Sequence, residues 1–197
     1  MIIVPIDYSK PIKLDIGSGF NPTPGYIHLD IRRDLPDLDI VCDFSKQPLP
    51  FSCGVVDEII SNHSIEHIKW TEVSFMVKEW VRVLRPGGIA KIRTPDLFMI
   101  VKNYMAGVKT KEWPDDEKRA REIFGQCEAA EIALIKLFAG QDYDSNVHYA
   151  CYDFQMLSSL LKRCGFSQVE SSRFGPEFSP HELQVIATKE SLIPIQS

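Results

Sequence analysis

The stretch "IKLDIGSGFNPTPGYIHLDI", residues 12–31, decides how this chain folds. Two short apolar runs, IKLDI (12–16) and YIHLDI (26–31), read as strands. The glycine turn GSG follows the first run, and Pro22 and Pro24 follow the turn. Proline lacks a backbone N–H and fixes φ, so FNPTPG has room for a single helical turn at most. Asp15, Gly17 and Gly19 therefore sit at the end of the first strand, where glycine lets backbone come close to a ligand because no Cβ intervenes. Asp30 closes the second run, and its carboxylate can accept hydrogen bonds from both hydroxyls of a ribose.

Working outward, the pattern repeats. LDIVCD (38–43) is apolar and again ends on an acid, Asp43, which can bind the exocyclic amine of an adenine. VVDEIIS (55–61) is a further strand. In TEVSFMVKEWVRVL (71–84), apolar residues recur at helical spacing behind Thr71, an expected N-cap; RPGG (85–88) should end the helix, and IAKIRT (89–94) is the fifth strand, stopped by Pro95. DLFMIVKNYMAG (96–107) reads as a helix that Asp96 can cap. The charged stretch 109–122 contains Pro114, Asp115 and Asp116, which suit a helix first turn, and CEAAEIALIKLFAG (127–140) is a helical run. A loop, DSNVHYACYD (144–153), leads to the amphipathic helix FQMLSSLLKRCGF (154–166), ended by Gly165. SQVESSRF (167–174) and ELQVIATKE (182–190) form a closing antiparallel pair. Strands alternating with helices, with glycines and acids at strand ends, predict a mostly parallel α/β sheet.

Bulk composition narrows the function. The 197 residues suffice for one domain, and 44% hydrophobic with 25% charged residues is ordinary for a globular protein. A net charge of -5 without a Lys/Arg-rich run argues against a protein that grips a phosphate backbone. Five scattered cysteines with no C-x-x-C pair read as free thiols in a reducing compartment. The apolar N-terminal run is too short for a signal sequence, and no stretch approaches the roughly 20 residues of a membrane span, so a cytoplasmic setting is expected.

KLDIGSGFN, HLDI, VCDFSKQPLPFSCGVVDEIISNHSIEHI and EWVRVLRPGGIAKIRTPD together resemble the successive motifs of class I S-adenosylmethionine-dependent methyltransferases, closest to the small bacterial type 11-like branch with a shortened first loop. The resemblance covers residues 12–96, and a weaker one runs to about residue 166. It implies a Rossmann-like, mostly parallel sheet with an antiparallel C-terminal strand, in a single domain over 1–197. A helical insertion after the fifth strand, about 102–147, would cover the substrate. It also implies S-adenosylmethionine as cofactor, with Asp15, Gly17 and Gly19 at its methionine part and Asp30 on the ribose. Asp43 and Phe44 would border the adenine, and Asn62 and His63 would lie near the sulfonium. The chain departs from the pattern twice: Asn21 stands where a third glycine is usual, and the first crossover has no room for its helix. A parallel pair normally needs a connection of a dozen residues or more. One face of the sheet should therefore lose a helix, leaving an opening that a substrate or a second subunit, as in a homodimer, could cover.

One segment invites a rival reading. In IISNHSIEHIKW (59–70), His63, Glu66 and His67 spell H-x-x-E-H, a zinc-peptidase signature. A zinc hydrolase would use His63 and His67 as ligands and Glu66 as base, with Glu128, Glu131 or His148 as third ligand. The segment follows a strand directly, however, so His63 should sit at the strand exit rather than within a helix. Glu66 and His67 are then expected to shape a helix start and hold no metal. Methyl transfer from a sulfonium to O or N of a small molecule or saccharide is the function expected, with a catalytically inactive cofactor-binding partner subunit as the other alternative. N6-adenine methylation of DNA is disfavoured, since Ser61-Asn62-His63-Ser64 stands where those enzymes carry (N/D)-P-P-(Y/F). For a hydroxyl acceptor, His148 is the nominated base, with Tyr149, His181 and Asp96 weaker nominees at the same mouth.

Overall fold

The structure, a computed structural model, describes residues 6–108, 114–141, 146–172 and 181–191. Seven strands form one sheet: β1 (Lys13–Ile16), β2 (Ile27–Asp30), β3 (Ile40–Val41), β4 (Val56–Asn62), β5 (Leu84–Pro95), β6 (Phe166–Ser171) and β7 (Glu182–Lys189). Their order is β3-β2-β1-β4-β5-β7-β6. The first five pair in parallel, and β7 runs antiparallel between β5 and β6. The helices are α1 (Val73–Val83), α2 (Leu97–Met105), α3 (Pro114–Phe124), α4 (Ala129–Phe138) and α5 (Phe154–Cys164). The expected Rossmann-like α/β sheet with an antiparallel closing strand is what forms. Residues 17–26 join β1 to β2 as an irregular loop with no helix, as the two prolines dictate.

That missing helix explains the pattern of the central strands. Leu14, Ile16, Leu29, Ile59, Ala90, Ile92, Val185 and Ala187 share one apolar core with Val73, Met76, Val77 and Trp80 of α1 and Leu157, Leu160 and Leu161 of α5. Alternation puts Lys13, Glu58, Lys91 and Arg93 on the other face. Parallel sheets buried on both faces carry near-continuous apolar runs. Here Glu58 instead pairs with Lys13 at 3.6 Å and Lys91 at 2.6 Å, and accepts the Tyr26 hydroxyl proton. Burial works against the Glu58 charge, but Lys91 and Tyr26 outweigh it and keep the carboxyl below its usual range. A face so paired can be covered by water.

Trp80 lies wholly inside the core, its indole nitrogen without a partner among the described residues. Burying about 150–250 Å² of aromatic surface contributes roughly 4–6 kcal/mol, against about 1–3 kcal/mol for one lone donor, so apolar packing wins.

Two boundaries differ from expectation. RPGG does not separate α1 from the fifth strand but lies inside β5, which starts at Leu84 opposite Val56. The register then slips, resuming at Glu58 opposite Ile89, and Gly87 takes φ 75° within that bulge. Thr71 does not cap α1; Glu72 holds the N-cap position without a side-chain bond. Asp96 does cap α2, accepting from the N–H groups of Phe98 and Met99. The segments 109–113 and 173–180 lie outside the described residues, so the expectations on their sequences apply only to the flanks. Among the described residues no helix is long and apolar enough to cross a membrane.

Candidate active site

The exits of β1, β2, β3 and β4 meet at one end of the sheet, and the β1 loop is pinned there from three sides. Gly17 donates its N–H to Leu29 O at 2.8 Å, and Gly19 donates to Asp30 Oδ2 at 3.1 Å. Asp15, buried on β1, accepts the Thr23 N–H at 2.7 Å and so holds the far side of the loop. Burial raises the Asp15 carboxyl above its usual range. Gly17 and Gly19 take φ 75° and 59°. A Cβ on Gly17 would stand 2.1 Å from Ser64 Oγ and 3.6 Å from the ring tip of Phe44. The close approach that glycine permits at position 17 is therefore to the protein's own chain. At Gly19 the nearest atom to such a Cβ is Arg32 Nη2 at 3.7 Å, which leaves that flank open to a ligand.

Asp30 is oriented by two backbone donors, Gly19 and Arg32, the second at 3.0 Å on Oδ1. Arg32 lies over the Phe20 ring at 4.6 Å. Arg32 Nε also stands 3.5 Å from Oδ1, so at least one of a carboxylate's about four acceptor sites remains for a ribose hydroxyl. Beside it Ile31 stays 48% exposed, a flat apolar surface next to the carboxylate. Sequence reasoning missed both Ile31 and Ser64, although HLDI already placed Ile31 one residue past the acid. Asp43 takes Ser45 Oγ at 2.7 Å and Lys46 Nζ at 3.3 Å. Burial opposes its charge, but those partners prevail and lower its carboxyl.

At the end of β4, Asn62 carries a buried Oδ1 with no partner among the described residues. His63 continues the ladder with its N–H on Arg93 O, then takes φ 48°, and a single 3-10 turn (Ile65–His67) follows. His63 is thus at the strand exit, and H-x-x-E-H does not lie on one helix. Its ring is held between two carboxylates, Nδ1 at 3.2 Å from Glu66 Oε1 and Nε2 at 2.8 Å from Glu182 Oε1 on β7. Desolvation disfavours the charged ring, but the bonds to Glu182 and Glu66 outweigh it and raise His63 to about 9. The two carboxylates thus favour the protonated ring. Glu66 is wholly buried; burial alone would raise its carboxyl, and His63 reverses the direction. No sequence signal could have paired His63 with a residue as remote as Glu182.

The insertion returns across this exit. Tyr149 and Ala150 both donate N–H to Glu66 O, and His67 Nδ1 donates to Val147 O at 3.1 Å. These bonds bring His148 against His67, ring centroids 4.7 Å apart, while His148 Nδ1 donates to Lys136 O at 3.0 Å. Burial pushes His148 below its ordinary value. The other nominees are elsewhere. Glu128 and Glu131 form the capping box of α4, and His181 Nδ1 bonds Asn103 of α2. Tyr149 points its ring toward Lys69, and Asp96 is occupied as a cap.

A sheet of this order, with a glycine turn after β1 and acids ending β2 and following β3, defines the class I methyltransferase architecture. Residues 14–92 match the methyltransferase domain family. No curated protein matches the chain in sequence. Several solved structures share the fold, three of them as follows. One is an S-adenosylmethionine-dependent methyltransferase of Thermotoga maritima (TM-score 0.56, 13% identity, 92% of this chain and 83% of that one). Another is the 1,6-didemethyltoxoflavin-N1-methyltransferase of Burkholderia thailandensis, with S-adenosylhomocysteine bound (0.55, 14%, 93% and 73%). The third is a methyltransferase of Archaeoglobus fulgidus (0.57, 13%, 91% and 86%). The domain match over residues 14–92 and the shared fold make this chain similar to class I S-adenosylmethionine-dependent methyltransferases. The residues present fit that cofactor: an open glycine flank after β1, the Asp30 carboxylate ending β2 and an orphaned Asn62 Oδ1 ending β4 lie at the same end of the sheet.

Proposed function

We propose that the protein methylates an oxygen or nitrogen of a small molecule or saccharide. The observation that carries the acceptor class is the clasp of residues 147–150 over the exit of β4. A wall at that point suits an acceptor that enters between loops better than a duplex or a broad surface. The charge of -5 points the same way, and the Burkholderia neighbour is a methyltransferase with 1,6-didemethyltoxoflavin bound.

The sulfonium cofactor supplies an already activated methyl group. What remains for the protein is to hold cofactor and acceptor in line and to exclude competing water. Asp30 would take the ribose, Gly19 and Asp15 the loop around the methionine part, Asp43 and Phe44 the adenine border, and Asn62 the ground near the sulfonium. His63, held between Glu66 and Glu182, stands next to Asn62 at that strand exit. A hydroxyl acceptor also needs a proton acceptor. His148 keeps a lone pair on Nε2 because Nδ1 is committed to Lys136 O.

Calorimetric titration with S-adenosylhomocysteine tests the reading. The parent should bind, and Asp30→Ala should bind more weakly by about 10–100-fold, the loss of charge-assisted hydrogen bonds worth roughly 1.5–3 kcal/mol. A parent that fails to bind would overturn the cofactor assignment. Transfer of labelled methyl to a panel of sugars, amines and nucleosides then identifies the acceptor, and transfer to duplex DNA alone would overturn the acceptor class.

A further inference from the structure

We propose that Glu66, His67 and His148 form a binding site for a divalent first-row transition-metal ion, in place of the expectation that this segment holds none. One donor atom from each residue lies within 4.8 Å of the other two. Glu66 is wholly buried, and its Oε2 has no hydrogen-bond partner among the described residues. Both imidazoles give their Nδ1 protons to main-chain carbonyls, His67 to Val147 O and His148 to Lys136 O. Each Nε2 is therefore a lone pair when the ring is neutral. Three side chains gather here, each with an acceptor left over, an arrangement that suits a positive centre among them.

The surroundings are those of a metal centre. Histidine ligands usually donate their second ring nitrogen to a carbonyl or carboxylate, which fixes tautomer and orientation. Here both do so, and the remaining Glu66 oxygen is held by His63 at 3.2 Å. The Tyr149 and Ala150 bonds to Glu66 O fix the two chain segments without help from side chains. Bonds of about 2.1 Å in tetrahedral geometry put donors about 3.4 Å apart, so side-chain rotation must close the set from within 4.8 Å. Two imidazoles and one carboxylate suit zinc or iron(II) rather than magnesium or calcium. Three protein ligands leave a fourth position for water or an acceptor atom. An ion there would occupy the lone pair that a base at His148 needs. The proposal does not rest on methyl transfer, and it differs from the H-x-x-E-H reading because His63 is an outer partner rather than a ligand.

The rival occupant is a proton, which would make one imidazole the missing donor. Untagged protein, stripped with chelator and desalted, should take up one equivalent of zinc on titration with zinc chloride, measured by calorimetry and by elemental analysis after dialysis. Cys53→Ser serves as the parent background, because Cys53 is the exposed cysteine. In it, His67→Ala and His148→Ala should each weaken zinc by more than about 100-fold, beyond the loss usual for an outer partner. Cooperative unfolding of each variant confirms that it folds. Zinc-edge absorption of the loaded parent needs no variant and should show two imidazoles and no sulfur. A parent that retains no zinc, sulfur in the zinc shell, or folded His67 and His148 variants that bind as the parent does would overturn the site.

Discussion

Gly17→Ala tests whether the β1 loop and the β4 exit really share one contact. The substitution meets two separate penalties. At φ 75° an alanine is strained by about 1–3 kcal/mol. Its Cβ would also fall 2.1 Å from Ser64 Oγ and 2.6 Å from Ser64 Cβ, so something must shift. Overpacking of that kind costs about 1–3 kcal/mol. Together the loss is about 2–6 kcal/mol, from a total that is typically about 5–15 kcal/mol. Urea unfolding of parent, Gly17→Ala, Ser64→Gly and the double variant separates the two parts. Ser64→Gly removes both clashing atoms and leaves the φ strain. The double variant should therefore recover about 1–3 kcal/mol relative to additivity, where independent sites add within about 0.5 kcal/mol. Strict additivity would refute the contact, and an unchanged Gly17→Ala would refute the left-handed turn as well.

Asp96→Ala should cost about 0.5–2 kcal/mol in urea unfolding through loss of the α2 cap, and Asp96→Asn should restore most of it. Glu79 is held below its usual range first by Arg82, which it meets at 2.7 Å, and also by the Leu49 N–H. A lowered folded value contributes stability that is full above the unfolded value of about 4.3 and fades as pH falls through the folded one. Glu79→Gln should accordingly flatten the acid limb of a stability–pH curve below about pH 4.3, and an unchanged slope would sink the strut. Among the cysteines, Cys53 should react first with a thiol reagent in native buffer, with Cys42, Cys127 and Cys164 protected until unfolding.

Much of the fold was legible because its signals are local. Glycine and proline between residues 17 and 25 fix the loop whatever packs around it, and the short apolar runs between turn signals mark the strands. RPGG was misread for the same reason: locally it is a helix stop, and only the pairing of Leu84 with Val56 turns it into part of a strand. Thr71 failed as a cap because the chain between Lys69 and Val73 already turns, with Val73 N–H on Lys69 O, and the helix starts from that turn.

The site is less legible, since its decisive pairs are distant in sequence. H-x-x-E-H predicts two histidines on one helical face, and a strand exit with φ 48° at His63 breaks that geometry. The five residues from His63 to His67 then serve three directions. His63 reaches Glu182, Ser64 packs on Gly17, and Glu66 with His67 meets His148. Asp15 and Asp30 are the readable half of the site, because each acts on the loop between them. The half built from the insertion is unreadable in sequence, because carbonyls such as Lys136 O and Val147 O carry no side-chain signature. Those carbonyls nonetheless choose the tautomers of His148 and His67, and so decide whether that cluster presents lone pairs or protons.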